Sequence, residues 1–107
     1  MIKVVYRRKN HRLTITGHAN SGEVGHDLVC ASASILAYTL AANVENMTKA
    51  KKAGNPIISL SEGNANVYCK AKQGYRNVIT LVYDSVCVGF ELLAKNYPDY
   101  LSYEIRD

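Results

Sequence analysis

The segment from Asp27 to about Lys52 limits most strongly what this chain can fold into: Leu28, Val29, Ala31, Ile35, Leu36, Tyr38, Leu40, Ala41, Val44 and Met47 recur at helical spacing, with no proline. A stripe so broad and rich in alanine predicts a long helix buried over much of its surface. Asp27 is a good N-cap residue, and Gly54-Asn55-Pro56 a good stop, with glycine just past the end and proline after it. On that frame Cys30 lies three residues after the cap, inside the first turn.

Such a helix needs apolar partners, and the flanking segments read as strands. Ile2 to Tyr6 and Arg12 to Thr16 place β-branched and aromatic residues around a basic turn, a β-hairpin with Leu13, Ile15, Val4 and Tyr6 facing inward. Pro56 to Leu60 and Asn66 to Ala71 flank Ser61-Glu62-Gly63-Asn64, a second hairpin with alternation at Val67, Cys69 and Ala71. Gly74 to Asn96 carries Val78, Leu81, Val82, Ser85, Val86, Gly89, Phe90, Leu92 and Leu93 at helical spacing and ends before Pro98. Tyr100 to Ile105 is short, alternating and aromatic, a closing strand. The order ββαββαβ predicts an α+β two-layer sandwich, with a mixed, mainly antiparallel sheet and two helices on one face. No linker or repeat divides the 107 residues, so residues 1–107 are expected to form one domain.

Composition narrows the function classes. No unbroken run of about 18 apolar residues suggests a membrane span, and the N-terminus lacks the apolar region and cleavage site of a signal peptide, so a cytoplasmic location is expected. Cysteines at 30, 69 and 87 form no close pair, which argues against a disulfide scaffold and a CxxC site. Cys69 in a strand and Cys87 in the second helix read as packing thiols. The net charge of +4 invites a nucleic-acid reading. Its clusters, Arg7 to Arg12 and Lys49 to Lys52, are as well explained by a solvated turn and a solvated helix end.

The chemistry concentrates between Gly17 and Ser34. His18 ends a strand, Cys30 opens a helix, and Asn20 to His26 (Asn20, Ser21, Gly22, Glu23, Val24, Gly25, His26) holds two glycines and no periodicity, which reads as a mobile loop for substrate entry. A thiol at a helix N-terminus feels partial positive charge that favours the thiolate. An imidazole within reach could take its proton, and unpaired amides of the first turn, that of Cys30 included, could hold an oxyanion. Each residue also has a plainer reading. Cys30 could be a buried helix cysteine and His18 an ordinary strand-end residue. Asp27 could cap the helix or orient His18, and a carboxylate beside the thiol would raise its pKa. His26 could be a second base, a solvent-facing residue or, with His18 and Cys30, a zinc ligand, although only Asp27 offers a fourth ligand nearby. Ser34, one turn beyond Cys30, could support the site or bond back to a helical carbonyl.

The pattern Gly17-His18-Ala19, a five-residue gap, then Gly25, Asp27, Val29-Cys30-Ala31 and Ser34 resembles the signature of the ribosomal-processing cysteine protease (Prp) family. Nine positions at fixed spacing make the likeness specific, and it extends to chain length, element order, Gly89-Phe90 and Asn96-Tyr97-Pro98. The resemblance implies a bacterial cysteine endopeptidase, needed for ribosome maturation. It would remove the short N-terminal extension of large-subunit ribosomal protein twenty-seven, cutting after a phenylalanine pair and before a small residue. By position, Cys30 is then the nucleophile, His18 the base and residues 20–26 the substrate-gating loop; Asp27 and Ser34 match motif positions and stand as candidate supporting residues. It further implies a homodimer. From the residues themselves no metal, other cofactor or membrane partner is expected, and no direct nucleic-acid binding is required. Two other readings compete: a non-catalytic basic module that binds RNA or the ribosome through the Arg7 to Arg12 turn, and a zinc or redox protein built on His18, His26 and Cys30.

Overall fold

The computed structural model describes residues 1–17 and 26–107, with side chains from Leu28 onward in the second stretch. In chain order the elements are β1 (Ile2–Arg7), β2 (Arg12–Thr16), α1 (His26–Lys49), β3 (Ala53–Ser61), β4 (Asn64–Ala71), α2 (Arg76–Asn96) and β5 (Leu101–Arg106). The strands form one sheet in the order β3-β4-β2-β1-β5. Every neighbouring pair is antiparallel except β1 and β5, which run parallel because α2 carries the chain back across the sheet. This is the expected ββαββαβ sandwich.

Strand alternation sorts the two faces. Ile2, Val4 and Tyr6 of β1, Leu13 and Ile15 of β2, and Ala65, Val67 and Cys69 of β4 turn inward to meet Val29, Ala33, Ala37, Leu40, Ala41 and Val44 of α1. From α2 the core receives Ile79, Tyr83, Cys87 and Phe90. The Tyr6 and Tyr83 rings stack with centroids 5.8 Å apart. Their hydroxyls are not stranded: Tyr6 donates to Asp84 Oδ1 at 2.8 Å and Tyr83 to the Val67 carbonyl at 3.2 Å. Burying an aromatic side chain contributes about 1.5–3 kcal/mol, and these bonds keep a polar tip from cancelling it.

Both helices bury less of their surface than their apolar patterns suggest. Leu28, Ile35 and Tyr38 of α1 and Val78, Leu81 and Leu92 of α2 are exposed. Two helices laid side by side on one sheet each turn a single face to it, so part of a broad stripe must look outward. Both are also long and apolar enough to span a membrane by length and composition, a test that core helices pass equally. Here each lays a face on the sheet.

The ends of α1 differ from expectation. It begins at His26, so Asp27 lies within the first turn instead of capping it. It stops at Lys49, well before Gly54. The stop is made by Lys51, at φ 63°. Its amide donates to the Thr48 carbonyl at 3.0 Å, while that of Lys52 donates to Met47 at 2.9 Å. That is a Schellman closure with lysine in the left-handed position usually given to glycine. Gly54-Asn55-Pro56 belongs to β3 instead, where the pairing with β4 shifts register between Gly54 and Ile57. The bulge absorbs the missing proline N–H.

Nor is the basic turn simply solvated. Arg8 grips Asp84 with two nitrogens, at 2.9 Å from Nη2 and 3.1 Å from Nε. That ion pair, joined by the Tyr6 hydroxyl, holds the Asp84 carboxyl below its ordinary range. His11, at φ 50°, is buried, bonds Thr80 Oγ1 at 2.7 Å and lies against the Tyr83 ring. The turn is thereby pinned to α2.

Candidate active site

The antiparallel register of β2 and β4 pairs Thr16 with Asn64, so the end of β2 lies beside the β3–β4 turn. Gly17, the next residue, donates its amide to the Gly63 carbonyl at 3.1 Å. Its φ of 103° suits glycine alone, and a Cβ there would strike the Met1 carbonyl oxygen. The backbone immediately before His18 is therefore fixed in position by β1 and by the β3–β4 turn.

The head of α1 completes this end of the sheet. Between it and the strands lies a cleft of about 470 Å³ lined by Cys30, Ser34 and Tyr38 from α1, Gly17 after β2, and residues 60–65. Its floor is apolar, built from Ile2, Ile15, Leu60 and Ala65. Along α1 the lining is made mostly of small side chains, Ala31, Ala33, Ser34 and Ala37, and this keeps the space open. A helix repeats a face every three to four residues, so Cys30, Ser34 and Ala37 line one wall.

Position separates the three thiols. Cys69 and Cys87 are fully buried, and Cys30 is half-buried at the cleft. Burial pushes the Cys87 thiol up to about 12 and raises that of Cys69, in each case by denying the thiolate its water. Only Cys30, among the three, combines access to a cleft with a place near a helix N-terminus, where the backbone dipole favours an anion. The early start of the helix alters one detail. In a ladder that begins at His26 the Cys30 amide is an intrahelical donor, so it is not one of the unpaired amides of the helix start expected to hold an oxyanion.

Of the residues singled out in the sequence, Cys30 and Ser34 meet on the cleft wall. His18 and the loop residues Asn20 to Gly25 lie outside the described residues, and for His26 and Asp27 only the backbone, in the first turn of α1, is described. The wall formed by residues 60–65, with the Glu62 carboxylate on it, was not anticipated. The hairpin itself was legible, but its approach to Cys30 depends on the pairing of β4 with β2, which no local pattern announces.

A family model described as Cysteine protease Prp matches residues 1–102. Among solved structures, the chain is similar to an essential ribosomal processing protease Prp from S. aureus in complex with a substrate peptide, at 17% identity and a TM-score of 0.69, over 98% of this chain and 97% of that one. A second S. aureus Prp structure holds a covalently linked product peptide, at 18% identity, a TM-score of 0.68 and the same coverage. SMU.848 from Streptococcus mutans is similar at 23% identity and a TM-score of 0.68, over 97% of this chain and 90% of that one. At these identities the likeness establishes a shared fold. A comparison with curated proteins finds no match.

Proposed function

The chain belongs to the cysteine protease Prp family, and on that premise we propose that it removes the short N-terminal extension of large-subunit ribosomal protein twenty-seven, cutting after a phenylalanine pair. The observation that carries this reading is that Cys30, the one thiol of three that is not fully buried, lines a cleft with an apolar floor. Such a floor suits aromatic side chains on the substrate, and its volume of about 470 Å³ accommodates a short peptide segment. The S. aureus relatives, one with a substrate peptide and one with a covalently linked product, support the same class of chemistry.

In the proposed reaction His18 takes the Cys30 proton and the sulfur attacks the scissile carbonyl. Unpaired amides at the start of α1 stabilise the oxyanion. His18 then delivers its proton to the leaving amine, which departs with the mature chain. The extension stays behind as a thioester on Cys30. Water, deprotonated by His18, attacks the thioester and restores the thiol. Residues 20–26 order over the peptide, Asp27 and Ser34 support the Cys30 edge, and the protein works as a homodimer in the cytoplasm.

The test is incubation with a peptide spanning the extension and the cleavage point. Wild-type protein is expected to release a single amino-terminal fragment and Cys30→Ala none, with the far-UV spectrum unchanged. Cleavage at the wild-type rate by Cys30→Ala would remove the assignment.

A further inference from the structure

At the end of the sheet away from Cys30 lies a second cleft, of about 550 Å³, between the β1–β2 turn, the end of β4 and the segment entering α2. Five cationic side chains line it, Lys9, Arg12, Lys70, Lys72 and Arg76, and no carboxylate does. The whole chain has a net charge of only +4, so the positive excess is concentrated here. The entry to α2 adds to it. Tyr75 at the N-cap makes no side-chain capping bond, and the first turn holds no acidic residue and begins with Arg76. A cation at the positive end of a helix is unfavourable unless an anion joins it.

Two side chains in the cleft are held in place. Arg12 lies over the Tyr68 ring, its guanidinium carbon 4.5 Å from the centroid, while its Nη1 donates to Asn66 Oδ1 at 2.7 Å. Arg76 donates from Nη2 to the Lys9 carbonyl at 2.9 Å, tying the turn to α2. Sheet register then carries the charge outward from the cleft. Tyr68 faces Arg12, Arg12 faces Arg7, and Arg7 faces Arg106, on the sheet face opposite the helices. Neighbouring strands are about 4.8 Å apart, so three arginines follow one another across roughly 10 Å of open sheet. Like charges directly opposite one another are destabilising in a sheet. The carboxylate of Glu104 pairs with the last of the row, Arg106, at 2.8 Å, and its charge also reaches Arg7.

We propose that this end of the protein binds RNA: the cationic cleft and the arginine row take successive phosphates of a single strand, and the Arg12–Tyr68 pair stacks a base. A spaced row of cations matches a polymer of regularly spaced charges better than one small anion. The planar platform distinguishes RNA from an acidic peptide, which offers no base to stack. The length of β2, five residues or about 17 Å, separates this surface from the peptide cleft, so both can be occupied at once. The proposal stands independently of the peptidase reading.

The test is fluorescence anisotropy of a labelled single-stranded RNA of about 20 nucleotides, titrated at several salt concentrations, with far-UV spectra to confirm folding. Binding should weaken with salt, at a log–log slope of about −0.7 for each phosphate contacted. The triple variant Lys9→Glu, Lys70→Glu, Lys72→Glu should lose about tenfold or more in affinity and show a shallower slope. Tyr68→Leu, which keeps a strand-forming residue, should lose about fivefold with the slope unchanged. Cys30→Ala should bind as wild type. Absence of RNA binding, indifference to both sets of substitutions, or equal competition by polyglutamate of matched charge would overturn the proposal, the last in favour of an acidic protein partner.

Discussion

Gly17→Ala tests whether the sheet edge positions the site. At φ 103° an L-residue is strained, at a cost of about 1–3 kcal/mol. The added methyl must also displace the Met1 carbonyl, and that oxygen is not easily moved. Ile2 is buried and donates its amide to the Tyr100 carbonyl at 2.9 Å, which ties the start of β1 to the approach to β5. Overpacking against held backbone adds about 1–3 kcal/mol. The reduced freedom of the unfolded chain returns about 0.4–1 kcal/mol. Taken at their central values these leave a net loss of about 3 kcal/mol, a large part of the roughly 5–15 kcal/mol that holds a domain together. Urea denaturation should show it as a lower midpoint at unchanged slope, and thermal melting as a fall of about 12–24 °C. Peptide cleavage under conditions where the variant is still folded should fall more than stability alone requires, because Gly17 directly precedes His18. A variant within about 0.5 kcal/mol of wild type, with full cleavage, would show that this backbone is not held as described.

Ser34→Leu should fill the cleft beside Cys30 and raise KM for an aromatic peptide several-fold while leaving the melting temperature within a few degrees; unchanged KM would mean that substrate lies elsewhere. Lys51→Gly should stabilise the protein by about 0.5–1 kcal/mol in urea titrations, since glycine takes the left-handed position without a Cβ penalty. Burial, reinforced by the Arg76 cation, lowers the His11 pKa, so the folded protein resists a proton that the unfolded chain accepts. Stability contributed by neutral His11 is complete above pH of about 6.5 and falls as the pH drops below it. His11→Asn, which tolerates φ 50°, should flatten the fall in urea midpoint between pH 7.5 and 5.5; an unchanged fall would assign it to other groups.

Sequence pattern carried the element order, the inward faces of β1 and β2, the two packing thiols and Cys30, because each is encoded in a short window: alternation, helical spacing, a turn signal or a fixed motif. Local pattern is silent where a residue answers to a distant one. Arg8 is solvated, as a turn cation should be, but it also pairs with Asp84, far along the chain. Tyr83 does not stand out in a helical stripe, yet it is fully buried because the Val67 carbonyl satisfies its hydroxyl. Asp27 and Gly54 carry good capping chemistry, but α1 begins at His26 and closes on Lys51, so neither is used as a cap.

What the sequence determined by itself is therefore the list of parts, down to a cysteine at the head of a helix preceded by a histidine motif. Tertiary structure decided which parts meet. The β2–β4 pairing sets residues 60–65 beside Gly17 at the cleft that Cys30 lines, and the successive β4–β2, β2–β1 and β1–β5 pairings spread Tyr68, Arg12, Arg7 and Arg106 across the opposite end. Local windows specify backbone conformation and side-chain periodicity. The walls of a cleft and the partitioning of charge instead follow from strand order and register, which are fixed only when the whole core packs at once.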